Sequence, residues 1–256
     1  MSVFRFRRFT VENTESAMKV NTDGVLLGAL MTIRSEDRTY LDVGTGTGTI
    51  ALMAAQRVSV FSGTSDVSAD GVSGKISPDA PAIIGIDIDG ASAREAGQNF
   101  AASPWPDMLS AVHSSLGDFE TCPECGLFDH IFSNPPYYDL SLAAPDSRRN
   151  TARHTDSLSY RELAAFSSEF LSDSGMLSVI LPADSEVWLL RHARMSGLHP
   201  FRIVRIRTTE RKRPSRIVAE FSRSRRECPE ESLLTIHQGD GYSADYIALT
   251  EEFYLK

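Results

Sequence analysis

Apolar runs of roughly four to eight residues recur along this chain, and each stops at a glycine, proline or aspartate. Tyr40–Val43, Ile83–Asp89, Leu127–Phe132 and Gly175–Pro182 read as buried strands, with Ala111–His113 as a shorter one. Between them the apolar positions shift to helical spacing. Ile50–Arg57, Ala91–Phe100, Leu158–Leu171 and Asp184–Ser196 are the predicted helices, the third with Leu163, Phe166, Phe170 and Leu171 inward. Thr22 or Asp23 is placed to cap a further helix running to Met31. Arg202–Arg207 and Ile217–Phe221 form a strand pair around Thr208–Arg216. The tail from Tyr246 alternates apolar residues and is expected to dock on the sheet. Strands alternating with helices predict a doubly wound α/β fold.

One stretch breaks the pattern. From Ser59 to Ala82 serine, glycine and aspartate dominate, which reads as a loop insertion, long for a helix-to-strand connection and without visible chemistry. Phe4–Phe6 and Phe9–Val11 read as a short N-terminal strand or arm carrying Arg5, Arg7 and Arg8. These arginines suit either a solvated edge or a contact with phosphate.

Composition narrows the setting. With 256 residues the chain can bury a sizeable core. Its net charge of -8 speaks against bulk electrostatic attraction to nucleic acid and leaves a local basic face open. Three cysteines are too few for a disulfide framework and point to a reducing compartment. No apolar leader or bilayer-length stretch stands out, so a cytoplasmic, monomeric protein is expected. Cys122 and Cys125 form a Cys-x-x-Cys pair, but zinc needs four ligands and no second pair exists, so no metal is expected.

Two strand ends carry the chemistry. Asp42-Val43-Gly44-Thr45-Gly46-Thr47-Gly48 is a strand–turn–helix corner whose glycines let backbone approach a ligand, above a helix N-terminus. Thr49 occupies the place where the dinucleotide fingerprint wants its third glycine. Asp87, at the end of the next strand, is placed for two ribose hydroxyls. Ser133-Asn134-Pro135-Pro136-Tyr137-Tyr138 ends the strand at Leu127–Phe132. Consecutive prolines cannot extend a ladder, so the stop is stiff and fixes Asn134 and Tyr137. An amide oxygen, a rigid carbonyl at Pro135 and an aromatic face suit a planar group bearing an amino group.

Asn-Pro-Pro-Tyr after a strand resembles the signature of methyltransferases that act on exocyclic or amide nitrogens. Lys19-Val20-Asn21-Thr22-Asp23-Gly24 with Leu26-Leu27-Gly28-Ala29 resembles more narrowly the bacterial methyltransferases that modify the adenine beside the anticodon of valine tRNA. Asn21 stands where that family usually has glycine, and the chain ends in its habitual Phe-Tyr-Leu-Lys. The resemblance spans nearly the whole chain apart from the insertion. It implies a Rossmann-like, seven-stranded, mostly parallel sheet with a C-terminal antiparallel pair. It implies one methyltransferase domain over 1–256, comprising an arm and helix (1–38), the insertion (59–82) and basic C-terminal strands (200–256). It implies S-adenosylmethionine as methyl donor, S-adenosylhomocysteine as product and the anticodon loop of tRNA as partner. By the same resemblance Thr22, Asp42, Gly44, Gly46, Asp87 and Asp118 hold the donor, and Asn134, Pro135 and Tyr137 hold the adenine.

A protein-glutamine N5-methyltransferase and a ribosomal RNA guanine-N2 methyltransferase are the competing readings. The first usually carries a helical domain before the glycine turn, and the second lacks the Thr-Asp-Gly stretch. Arg153, after the Asn-Pro-Pro-Tyr stretch, is a candidate for substrate phosphate or site closure, or for a solvated loop. Arg211, Lys212, Arg213 and Arg216 belong to a concentration of cations between Arg202 and Arg226. Cations so crowded should repel one another unless an anionic partner is present, which favours RNA.

Overall fold

The computed structural model describes residues 2–16, 18–61, 82–120, 126–135 and 158–255. Its centre is a nine-stranded sheet with the order β11-β10-β8-β9-β7-β6-β3-β4-β5. β3 is Thr39–Val43, β4 Ala82–Asp87, β5 Leu109–His113, β6 Phe128–Ser133 and β7 Leu171–Pro182. These run parallel to one another. β8 (His199–Thr209) and β9 (Arg216–Ser222) form an antiparallel hairpin whose second strand inserts beside β7. The expected strands are all present. Two more, β10 (Glu230–Gln238) and β11 (Gly241–Tyr242), extend the edge beyond β8.

Strand pleating distributes the core over both faces. On β7, Leu177, Val179 and Leu181 pack to one side and Ile180 to the other; on β3, Leu41 and Tyr40 divide in the same way. One face is covered by α1 (Thr22–Leu30), α2 (Thr49–Phe61), α3 (Gly90–Ala101) and α7 (Ala244–Thr250). The other is covered by α4 (Leu116–Phe119), α5 (Tyr160–Phe170) and α6 (Glu186–Met195). A small hairpin of β1 (Val3–Arg5) and β2 (Thr10–Glu12) packs Phe4 and Phe6 against Tyr254 of the tail.

Several local expectations are corrected. The cap of α1 is Asn21, whose Oδ1 accepts from Gly24 N at 2.8 Å, rather than Thr22 or Asp23. The tail, expected to dock on the sheet, does so as α7, capped by Ser243, with Tyr246 and Phe253 in the core. Ser59–Phe61 complete α2 and Ala82 opens β4, so the described ends of the expected insertion belong to regular elements. Residues 62–81 and the Cys122–Cys125 pair lie outside the described residues.

The sheet order turns back at β3 and β6. Both strands start chains of neighbours leading in opposite directions, which opens a crevice at their carboxyl ends. Val43 and Ser133 are register partners there, and Ser133 Oγ donates to Val43 O at 2.8 Å. Gly44 and Asn134 therefore leave the sheet at the same level, one strand spacing apart, about 5 Å.

Candidate active site

The glycine turn after β3 is built by its neighbours. Gly44, Gly46 and Gly48 have φ of +72°, +58° and +79°, the left-handed region that glycine enters without strain. Gly44 N and Thr45 N both donate to Ile86 O at 2.9 Å, which ties the turn to β4. A side-chain carbon at Gly48 would stand 2.4 Å from the Phe100 ring, so only glycine lets α3 close on the turn. At Gly44 the same carbon would meet nothing within 4 Å, leaving backbone open to a ligand.

Two carboxylates support this turn. Asp42 is wholly buried beneath it; Oδ2 accepts from Thr45 Oγ at 2.8 Å, and the Ala51 backbone also steadies the carboxylate. Burial pushes the Asp42 carboxyl up to about 7, against the hydrogen bond from Thr45. Asp87 is half-buried at the end of β4. Its Oδ2 accepts from Gly46 N at 2.8 Å and its Oδ1 from Asp89 N at 2.9 Å. Burial raises its pKa, and these backbone bonds counteract the rise. Each oxygen keeps a lone pair for a hydroxyl. Ile88, next in sequence, is 54% exposed and offers an apolar face at the same edge, a feature the sequence reading missed. Asp89 caps α3 through Ala91 N and Ser92 N.

Asp118 lies exposed in the single turn of α4, with Oδ2 accepting from Ser115 Oγ at 2.7 Å. α4 follows β5, whose terminal His113 pairs with Asp87, so Asp118 is on the same edge of the sheet. Thr22 is exposed at the first turn of α1. An open glycine backbone at Gly44 and the spare lone pairs of Asp87 fit a ligand with amino-acid, ribose and base portions.

Asn134 and Pro135 are buried where β6 ends. Asn134 Nδ2 lies 3.7 Å from Met18 Sδ and donates to it. Tyr137 and Arg153 lie outside the described residues. Met18, between β2 and α1, thus reaches the Asn134 amide, and its carbonyl lies beside Gly46 of the glycine turn.

The basic segment behaves differently from expectation. Arg202 bonds Leu30 O and the buried carboxylate of Glu220; Arg205 pairs with Glu186 and Glu231 at 2.7 Å each. Arg207 bonds Thr235 and Glu210 O, Arg223 bonds Leu171 O, and Arg226 lies over the Phe201 ring. Internal partners, brought from distant parts of the chain, neutralise much of the expected repulsion. Arg216 pairs with Asp23 at 2.9 Å, joining the hairpin to the start of α1. Arg211, Lys212 and Arg213 are exposed at the turn between β8 and β9. β8 runs parallel to β7, and Ala183 N donates to Ser215 O, so this turn sits on the carboxyl edge that carries Asn134.

No group of His, Cys, Asp and Glu that could hold a metal occurs among the described residues, and no described helix is long and apolar enough to cross a membrane.

This topology is the Rossmann-like, doubly wound fold, with its glycine turn and Asn134 at the crevice where the strand order turns back. Among solved structures, a predicted O-methyltransferase from Agrobacterium tumefaciens shares the fold at TM-score 0.62 and 15% identity, covering 90% of this chain and 96% of that one. A T. thermophilus 16S rRNA guanine-N2 methyltransferase, solved with AdoMet and guanosine, shares it at TM-score 0.53 and 18% identity, covering 87% of this chain and 50% of that one. No family model matches the chain. Whole-length relatives do. A tRNA1(Val) (adenine(37)-N6)-methyltransferase of Bacteroides fragilis is 40% identical over 253 residues, 99% of this chain and 98% of that protein. Proteins of the same description from Flavobacterium psychrophilum and Photobacterium profundum are 36% and 35% identical, each over 99% of this chain and at least 98% of their own length. The chain belongs to the tRNA1(Val) (adenine(37)-N6)-methyltransferase family.

Proposed function

We propose that this protein transfers a methyl group from S-adenosylmethionine to the exocyclic N6 of adenine 37 in valine tRNA, the reaction by which its relatives are described. The observation that carries the reading is the hydrogen bond from Ser133 to Val43, which levels the glycine turn with Asn134. A donor on the turn and an acceptor at Asn134 would then meet across one strand spacing.

The donor supplies an activated methyl on a sulfonium. Gly44 and Gly46 receive its methionine end, Asp42 acts through the turn that it underpins, and Asp87 accepts from the ribose hydroxyls. Asp118 accepts from the adenine amino group, Ile88 covers the adenine face, and Thr22 borders the pocket from α1. On the acceptor side, Asn134 Oδ1 and the Pro135 carbonyl take the two hydrogens of the target amino group, and Tyr137 stacks on the base. The N6 lone pair is ordinarily delocalised into the ring. Holding both hydrogens favours the geometry that frees it, so positioning and fixed dipoles carry the acceleration, and the proton departs after transfer. The target base leaves its stack at little cost in a single-stranded anticodon loop.

Arg211, Lys212 and Arg213 contact the RNA backbone, with Arg216 bracing their turn through Asp23 and Arg153 a further candidate for a substrate phosphate. The exposed, unpaired Cys228 thiol suits a reducing cytoplasm. Mass spectrometry of nucleosides from purified valine tRNA tests the proposal. Cells lacking the gene should lose N6-methyladenosine from that tRNA and regain it on complementation; an unchanged tRNA would contradict the assignment.

A further inference from the structure

α3 carries a polar stripe that faces neither solvent nor the sheet. Glu95 is 1% exposed, and among the described residues no salt bridge reaches its carboxylate. Its Oε1 accepts from Thr14 N at 2.5 Å, Glu15 N at 2.8 Å and Thr14 Oγ at 2.9 Å, and its Oε2 accepts from Ser16 N at 2.8 Å. Three successive backbone amides thus converge on one buried carboxylate. One turn further along, Asn99 Oδ1 accepts from Glu12 N at 2.7 Å, while Nδ2 donates to Glu12 O at 3.0 Å and to Thr47 O at 2.9 Å. The second of those acceptors belongs to the glycine turn.

The segment held in this way leads directly into the site. A side-chain carbon placed on Gly46 would stand 3.6 Å from both Met18 O and Ser16 Oγ, so the segment lies along the glycine turn. Ser16 Oγ donates to Met18 O at 3.1 Å, and Lys19 Nζ folds back onto Asn13 O and Thr14 O at 2.9 Å. Met18 then contacts the amide of Asn134. One short strap touches both the donor turn and the acceptor amide, and α3 anchors it.

Burying a carboxylate without a counter-ion is costly unless hydrogen bonds replace its water. Charge-assisted bonds to backbone amides do so here, and they make the anchorage stronger than neutral partners would. A carboxylate only accepts, so four donors can converge on it. A carboxamide would aim its own N–H at one of those donors.

We infer that Glu95 is a positioning residue for methyl transfer, holding residues 14–16 so that Met18 closes the donor pocket and fixes the Asn134 amide. This rests on the donor and acceptor assignment proposed above. It implies that removing the carboxylate weakens donor binding and slows transfer without weakening RNA binding.

The test uses the full-length protein. Glu95→Gln is compared with the parent by calorimetric titration with S-adenosylhomocysteine, by steady-state kinetics with donor and tRNA, and by hydrogen exchange at the amides of 14–16. The expected result is loss of protection at those amides, a donor Kd and KM raised about tenfold or more, and a KM for tRNA changed by less than about twofold. Donor binding and turnover within about twofold of the parent, with the strap released, would overturn the inference. So would retained protection at 14–16. If Glu95→Gln fails to fold, Met18→Ala tests the far end of the strap with Glu95 intact. Turnover should then fall at least about tenfold with thermal stability kept, and unchanged turnover would again overturn the inference. Donor affinity is read without RNA. A parent that binds S-adenosylhomocysteine but fails to methylate adenine would therefore remove the functional proposal, leaving the anchorage measurable.

Discussion

Ser133 Oγ donates to the carbonyl of Val43 at 2.8 Å, across the point where the sheet order turns back. Both residues are buried, and each is the last of its strand. Ser133→Ala should cost about 1 kcal/mol of stability, the usual net worth of a buried neutral hydrogen bond. Turnover should fall further than donor affinity, because the level of Asn134 relative to the glycine turn is what the bond sets. Denaturant unfolding, calorimetry and single-turnover assays separate these effects.

Asp87 serves the turn and the ligand with the same carboxylate. Its oxygens accept from Gly46 N and Asp89 N, and an asparagine can keep only one of those bonds. Asp87→Asn should weaken S-adenosylmethionine binding by about tenfold or more, the worth of one charge-assisted hydrogen bond. Calorimetric titration checks it, and the KM for tRNA should stay near the parent value.

His130 is wholly buried in β6, with Nε2 2.7 Å from Ser178 Oγ. Ser178 Oγ donates to Glu220, so Nε2 carries the proton and Nδ1 is the bare nitrogen. Burial, aided by Arg34 and Arg57, lowers its pKa from 6.5 to about 3. The unfolded chain therefore binds a proton that the folded chain refuses, and stability is lost as pH falls from about 6.5 towards 3. Asp42 acts with opposite sign. Its folded pKa lies near 7 against 3.8, so the folded chain holds the extra proton and stability falls as pH rises between those values. His130→Leu should flatten the acid-side loss, and Asp42→Asn should flatten the loss on raising pH. Denaturant midpoints measured from pH 4 to 8 on all three proteins, about the range where both groups contribute, check each sign.

Cations at the hairpin turn differ in role from those along its strands. Replacing Arg211, Lys212 and Arg213 together by alanine should raise the KM for tRNA and reduce the salt dependence of RNA binding by roughly two to three phosphate contacts. Thermal stability should hardly move. Arg205→Ala should instead destabilise the protein, because it strips Glu186 and Glu231 of their shared partner. Filter binding across a salt series, beside thermal melts, distinguishes the two classes.

What the sequence made legible was local. The glycine turn and the Asn134–Pro135 stop follow from backbone rules within a few residues, and both fall where expected. The cap of α1 went to Asn21 because Asn, Thr and Asp, all good capping residues, stand in succession, and only geometry chooses among them. α7 is too short for its apolar spacing to separate a helix from a strand, and β10 is too polar along its exposed face to declare itself. Glu95 reads as one more polar residue on an amphipathic helix, since its donors lie about 80 residues upstream. The internal neutralisation of Arg202 and Arg205 was hidden for the same reason: Glu186, Glu220 and Glu231 come to them through sheet topology.

The most direct measurement of the central claim is methyl transfer by Asn134→Ala to unmodified valine tRNA, read by nucleoside mass spectrometry, with donor affinity measured on the same preparation. The amide of Asn134 should be needed to present the amino group and should matter little to the donor. N6-methyladenosine should fall to background while S-adenosylmethionine binding stays within about threefold of the parent, a difference under 1 kcal/mol. Near-normal methylation by this variant, with the donor bound as usual, would contradict the account.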